Sequence, residues 1–170
     1  MDLALSETQQ KVVDGLSEDF TDSFIEVYQS SGDTFVRVEV DAIVDICRYL
    51  KDQQHYIYLS DVFGIDRFTS RERFEVVYNI ISLRAREHLF VKVRLPEENP
   101  VLESVTGIWK SANWMEREVY DMFGIEFTGH PDFRRIYMPE DYDYFPLRKE
   151  FPLLGIPGSI DLPSTTPDTE

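Results

Sequence analysis

Between residues 55 and 95 the chain runs with a period of two, in 55-HYIYLSDVFGID, 73-RFEVVYNIIS and 88-HLFVKVRLP. Phe74, Val76, Tyr78 and Ile80 fall on one side of the second run. In the third, Val91, Val93 and Leu95 alternate with Lys92 and Arg94. A strand sends successive side chains to opposite faces, so these runs predict three strands of a half-buried sheet. The apolar face of such a sheet must be covered, which restricts the rest of the domain to segments that can lie on it.

Those segments precede and follow the strands. Ser6-Glu-Thr-Gln9 has the form of a capping box, and Val12, Val13 and Leu16 follow at helical spacing, predicting a short helix to about Gly15. In 33-DTFVRVEV, Thr34, Val36, Val38 and Val40 alternate with Phe35, Arg37 and Glu39; with 20-FTDSFIEVYQS and the turn Ser30-Ser-Gly32-Asp this predicts a hairpin. Asp41 is placed to cap a second helix, whose Ile43, Ile46, Cys47 and Leu50 recur at i, i+3, i+4, i+7 and make Cys47 a core residue. Asn99-Pro100 reads as another helix start, with an apolar stripe of Val101, Val105, Ile108, Trp109 and Ala112. Asn113 with Glu116 caps a renewed helical turn that Gly124 ends in a left-handed conformation. The expected order over residues 1–124 is α-β-β-α-β-β-β-α. The fold class is α+β, a two-layer domain with helices packed on one face of a mixed β-sheet.

After Gly124 the composition changes. Seven prolines (131, 139, 146, 152, 157, 163 and 167) preclude regular helix or central strand. Yet Phe127, Phe133, Ile136, Tyr137, Phe145, Leu147, Phe151, Leu153 and Leu154 make the segment too apolar for a disordered linker. A long irregular C-terminal arm over residues 125–156, with few self-contacts, finds its cheapest home in a groove on another subunit. Residues 157–170 have the composition of a loose Pro-rich tail.

Bulk properties exclude several function classes. A net charge of −15 argues against nucleic acid, which needs clustered Lys and Arg. The charge is uneven: residues 1–33 hold eight acids and only Lys11, whereas 67–94 hold seven bases against Glu72, Glu75 and Glu87, a pattern suited to orientation against a partner. No apolar run approaches the roughly 18–20 residues of a membrane helix, and the first residues show no export signal. One cysteine and His55, His88 and His130 cannot build a Cys-rich zinc or iron–sulfur site, and a single thiol agrees with a reducing compartment.

The densest cluster of chemistry is 113-NWMEREVYDMFGIEFTGHPDFRRI-136. An acid–base reading pairs Glu116 or Glu118 with His130 and gives Arg134 and Arg135 to an anionic substrate. On a helix, however, Glu116 and Glu118 lie about 200° apart and cannot converge on one atom. Arg117 and Asp121, at i and i+4, are spaced to pair with each other. His130 precedes Pro131 and is suited to anchoring by hydrogen bonds. No nucleophile motif, phosphate loop or dinucleotide fingerprint accompanies the cluster. The residues read instead as an interface knot between a folded domain and its arm, with arginines able to pair across a subunit boundary.

Glu116-Arg-Glu118, Asp121-Met-Phe, His130 and Arg134-Arg135-Ile-Tyr at this spacing resemble the signature of the 30 kDa subunit family of respiratory complex I, known in bacteria as the C subunit of NADH-quinone oxidoreductase. The segments 73-RFEVVYNIISL, 91-VKVRLPEENP, 104-SVTGIW, 112-ANWMERE and 146-PLRK extend the resemblance over about residues 35–152. The resemblance implies a structural subunit without a catalytic site or cofactor of its own, in the peripheral arm of a proton-translocating complex. FMN or iron–sulfur clusters and quinone would then sit in partner subunits. It implies a hetero-oligomer that includes a 49 kDa-like quinone-site subunit and iron–sulfur subunits. That places the chain at the cytoplasmic side of the membrane without insertion. A related membrane-bound hydrogenase or F420-dependent complex carries similar subunits, as do ferredoxin-fed quinone reductases. Glu116, Arg117, Glu118, Asp121, His130, Arg134, Arg135, Arg148 and Lys149 carry over as interface and structural residues. Relatives commonly have Trp and Gly where this chain has Tyr142 and Tyr144, so a left-handed turn at residue 144 is in question.

Overall fold

A computed structural model of the chain describes residues 5–68 and 71–158. Helix α1 (Glu7–Asp19) leads to strands β1 (Phe24–Ser30) and β2 (Asp33–Val38), then helix α2 (Ile43–Asp52). Strands β3 (Tyr58–Asp66), β4 (Phe74–Ser82) and β5 (Glu87–Leu95) form a meander. They are followed by β6 (Val101–Glu103), helix α3 (Ala112–Phe123) and β7 (Glu126–Thr128). The main sheet has the order β1-β2-β5-β4-β3, with β2 parallel to β5 and the other pairs antiparallel. It is therefore mixed, and the fold is α+β as expected.

All three helices pack into one apolar cluster on one side of this sheet. Val12 and Leu16 of α1, Ile43, Ile46, Cys47 and Leu50 of α2, and Val119 and Phe123 of α3 join Phe74, Val76, Tyr78 and Ile80 of β4. Burying one such aliphatic or aromatic side chain is worth about 1.5–3 kcal/mol, so this cluster is the main source of stability. Gly64 of β3 is what lets α3 approach: a Cβ there would lie 2.6 Å from the Phe123 ring.

The capping box at Ser6 and Gln9 is present, but α1 passes Gly15 and continues to Asp19. Glycine here is a notch, not a stop, because the Tyr49 hydroxyl occupies the space where its Cβ would be. Asp41 caps nothing; it lies in a 3₁₀ turn over Val40–Ala42, and α2 starts without a side-chain cap. The helix expected at Asn99-Pro100 is also absent. Val101–Glu103 pairs instead in parallel with Glu126–Thr128, and Val105, Ile108 and Trp109 are buried from a turn. Nor does Asn113 cap a turn with Glu116: α3 begins at Ala112, and the Glu116 carboxylate is bound elsewhere. At Asn113 and Glu116 local spacing suggests a cap, whereas a tertiary partner, invisible in the local sequence, takes the carboxylate. Gly124 does end α3 in the left-handed region, at φ 71°.

Beyond β7 the described chain has no further helix or strand, but much of it lies on its own domain. The Leu147 amide donates to the Met122 carbonyl, and the Lys149 amide donates to Asp66. The expectation of few self-contacts concerned the segment alone, and these bonds tie it to the body of its own chain. Tyr144 is not among the residues with positive φ, so the turn there is made without a left-handed residue. Of the expected tail, residues 159–170 lie outside the described residues.

Candidate functional site

Helix α3 buries charged groups along with its apolar ones: Glu116, Arg117 and Asp121 are buried, while Glu118 is exposed. A buried charge is tolerated only when paired or hydrogen-bonded, so each must have a built partner. Glu116 Oε1 accepts from the Val105 amide at 2.8 Å, and Oε2 accepts from Ser104 Oγ at 2.6 Å. This carboxylate holds the turn after β6 against α3. Among the described residues no Lys or Arg pairs with it, and burial pushes its pKa up to about 7 in spite of those two hydrogen bonds.

His130 lies 4.0 Å from Glu116, and both side chains are wholly buried. Its Nδ1 accepts from the Asp132 amide, which leaves the proton on Nε2 to donate to the Asn113 carbonyl at 3.0 Å. Both ring nitrogens are thus committed to anchoring, as expected for this position. The acid–base pair considered above has no opening for a substrate at these two groups, and Glu118 lies on the far side of the helix.

Arg117 and Asp121 do not pair with each other as their spacing suggests. Arg117 donates to the carbonyls of Arg134 and Arg135, with Asp132 at 3.9 Å. Asp121 Oδ2 accepts three successive amides, those of Ile136, Tyr137 and Met138, at 2.6–3.0 Å. Its Oδ1 binds Arg135 at 2.7 Å. Burial alone would raise the Asp121 pKa, but the amides of Met138, Tyr137 and Ile136 and the Arg135 guanidinium outweigh it and hold the group below the usual carboxylate range. Arg135 also donates to the Tyr142 carbonyl. The pairing thus runs from helix to arm, not along the helix, because the arm offers each buried group several hydrogen-bond partners at once where an i, i+4 neighbour offers one.

A second anchor escaped the sequence reading. The Asp66 side chain, at the end of β3, is fully buried and bidentate with Arg73, which immediately precedes β4. Asp66 also takes the Lys149 amide at 2.8 Å, and Arg73 binds Glu97 and Glu150. Burial raises the Asp66 pKa, yet the bonds from Arg73, Lys149 and Phe68 reverse the net direction to a lowering. The available signal was two opposite charges flanking a hairpin, but nothing local tied them to the arm.

The nine signature residues therefore divide. Glu116, Arg117, Asp121, His130 and Arg135 are consumed inside the chain. Arg134 pairs with Asp132 at the surface, Glu118 and the Lys149 side chain face solvent, and Arg148 is half-buried. Farther along, Leu153 and Leu154 are completely exposed. Among the described residues no group of three or more His, Cys, Asp or Glu is placed to hold a metal ion, and no helix is long and apolar enough to cross a membrane.

Residues 36–156 match the family model described as "Respiratory-chain NADH dehydrogenase, 30 Kd subunit". A similar protein is the C 2 subunit of the NADH-quinone oxidoreductase of Rhizobium etli, 42% identical over 90% of this chain and 86% of the relative. Another is the C subunit of the NADH-quinone oxidoreductase of Geobacter sulfurreducens, 42% identical over 82% of this chain and 87% of the relative. Of solved structures, a trypsin-resistant fragment (1-134) of Nqo5 is 33% identical and superposes with a TM-score of 0.66 over 74% of this chain and 98% of the fragment. A chain of the membrane-bound sulfane sulfur reductase, an archaeal respiratory membrane complex, is 25% identical with a TM-score of 0.74, covering 87% and 88%.

Proposed function

The chain belongs to the 30 kDa subunit family of the respiratory-chain NADH dehydrogenase, and on that premise we propose that it is a non-catalytic, cofactor-free structural subunit of a proton-translocating NADH- or ferredoxin-quinone oxidoreductase. In this reading it sits in the peripheral arm at the cytoplasmic side of the membrane, docked on a 49 kDa-like quinone-site subunit next to iron–sulfur subunits. FMN or iron–sulfur clusters and quinone belong to those partners. The observation that carries the reading is the extent of the likeness to C subunits of NADH-quinone oxidoreductase, which spans most of both chains. Residues 1–124 form the body, 125–156 the partner-wrapping arm and 157–170 the tail. The fully exposed Leu153 and Leu154 support the wrapping role, since adjacent bare leucines gain most from a partner's cover. The protease-resistant state of the Nqo5 fragment supports a compact body.

The likeness to a chain of the sulfane sulfur reductase favours a second reading, the corresponding subunit of a related membrane-bound complex such as a hydrogenase or F420-dependent enzyme. Purification of the tagged chain from native cells, with mass spectrometry of what accompanies it, tests both. The expected result is a stoichiometric set of quinone-site and iron–sulfur subunits, with the electron-input subunit deciding between the readings. Quinone reductase activity in the isolated chain, or no stoichiometric companion, would sink the proposal.

A further inference from the structure

Six arginines of the described chain are at least half withdrawn from solvent: Arg37, Arg73, Arg94, Arg117, Arg135 and Arg148. Five have a carboxylate within 4.0 Å. Arg37 has Glu26 at 2.9 Å, Arg73 has Asp66 at 2.7 Å, Arg94 has Glu75 at 3.0 Å, Arg117 has Asp132 at 3.9 Å, and Arg135 has Asp121 at 2.7 Å. Arg148 alone among them has none within the described residues. In a chain of net charge −15 this is not for want of acids. The acids nearest to it in the fold are already used, Asp66 by Arg73 and two amides, and Glu97 and Glu150 by Arg73.

The side chain is nevertheless held in place. Its guanidinium carbon stands 4.6 Å from the Phe145 ring centre and 5.1 Å from that of Phe74. Nε donates to the Phe123 carbonyl at 2.7 Å. Nη2 lies over Gly124, where a Cβ would come within 2.6 Å of it. Of the five N–H groups of a guanidinium, only one is used among the described residues. Burial lowers the Arg148 pKa, and the carboxylates of Glu150, Asp66 and Glu97, which are shared with Arg73, do not reverse that direction. An arginine clamped by aromatic rings, with most of its fork unfilled, has already lost the rotamer freedom that binding would otherwise remove.

We propose that Arg148 is a preformed receptor for a carboxylate side chain of the neighbouring subunit, engaged in a forked, two-bond pair. The proposal rests on the docking reading above and names the chemistry of one contact in it. The surroundings fit such a contact. Leu147 is 54% exposed on one side, the Lys149 ammonium faces solvent on the other, and the exposed Leu153 and Leu154 follow. A clamped arginine with exposed leucines close to it in the chain has the residue types of an interface hot spot. The complementary partner patch carries an Asp or Glu beside an apolar groove.

The test uses the native assembly and the full chain. Arg148→Met removes the charge and Arg148→Lys keeps it but loses the fork. In cells producing the assembly, Arg148→Met is expected to lower recovery of companion subunits about tenfold or more in moderate salt, with Arg148→Lys in between. Thermal unfolding of each isolated full chain checks that the body is intact. Phenylglyoxal labelling of wild-type Arg148, read by mass spectrometry, is expected to be fast in the isolated chain and at least about tenfold slower in the assembly. Wild-type-like recovery of Arg148→Met across the salt range overturns this inference while leaving the docking reading intact; absence of companions with the wild-type chain overturns the docking reading itself. If Arg148 is protected in the isolated chain and deletion of residues 159–170 exposes it, the ligand is the chain's own tail and the inference is overturned.

Discussion

The long first part of the C-terminal arm and the short apolar stretch that follows it differ in how they are held. From His130 to Phe151 the irregular backbone is tied to the domain by buried charges: Asp121 on three amides, Arg117 on two carbonyls, and Asp66 on the Lys149 amide. From Pro152 to Gly158 no side chain is buried, and both leucines are bare. The contrast teaches that a proline-rich segment without helix or strand can be ordered by its own domain, provided that buried ionic groups take over the backbone groups that secondary structure would have satisfied. Where those anchors stop, apolar side chains are left for a partner.

The most direct way to break the contrast is to make the first part resemble the second. Asp121→Ala leaves Arg135 and three amides without their acceptor and is expected to cost about 3–5 kcal/mol. Urea unfolding of the isolated chain measures that loss, and hydrogen exchange is expected to accelerate at residues 136–138. Unchanged protection there would show that Asp121 does not hold the arm.

The next largest effect concerns pH. Glu116 is raised to about 7 in the folded chain from 4.5 in the unfolded one, so the folded state holds a proton that the unfolded state releases between those values. Its contribution is fully present below about pH 4.5 and is lost as pH rises to 7, by roughly 3 kcal/mol. Asp121 and Asp66 act in the opposite sense: their folded pKa values are lowered, and the stability they supply is lost as pH falls. Glu116→Gln is expected to remove the decline toward pH 7 in denaturant titrations and leave the acid limb unchanged. A decline that persists in this variant assigns it to another group.

Gly124→Ala tests the left-handed turn at which α3 ends and the chain leaves for the arm. The residue sits at φ 71°, and a Cβ would meet the Phe145 ring at 2.6 Å. A loss of about 2 kcal/mol is expected from backbone strain and overpacking, read as a lowered denaturant midpoint.

The smallest effect sharpens the comparison most. Replacing Leu153 and Leu154 together by Ser is expected to change the stability of the isolated chain by less than about 0.5 kcal/mol, because both are fully exposed. The same variant is expected to weaken assembly, measured by recovery of companion subunits. A large loss of stability in the isolated chain would place the leucines on the body after all.

Much of the body was legible in the sequence. The period-two runs located β3, β4 and β5, the spacing of Ile43, Ile46, Cys47 and Leu50 located α2, and the Ser6–Gln9 box marked the start of α1. Each depends on neighbours within a few residues. The site was legible as a set of residues but not as a set of contacts. Glu116 looked like a cap and Arg117 like an i, i+4 partner, whereas their bonds reach 11–18 positions along the chain. The Asp66–Arg73 anchor for Lys149, 83 positions from Asp66, left no local trace.

By itself the sequence determined the α+β class, the three consecutive strands, the core faces of α1 and α2 and the family signature, because alternation, capping and glycine placement act over short range. The tertiary structure decided where the buried charges go, that Val101–Glu103 is a strand and not a helix, and that the arm divides into a held and a bare part. The physical reason is that a buried carboxylate or guanidinium takes the best donor or acceptor that folding brings within about 3 Å, whatever its distance along the chain.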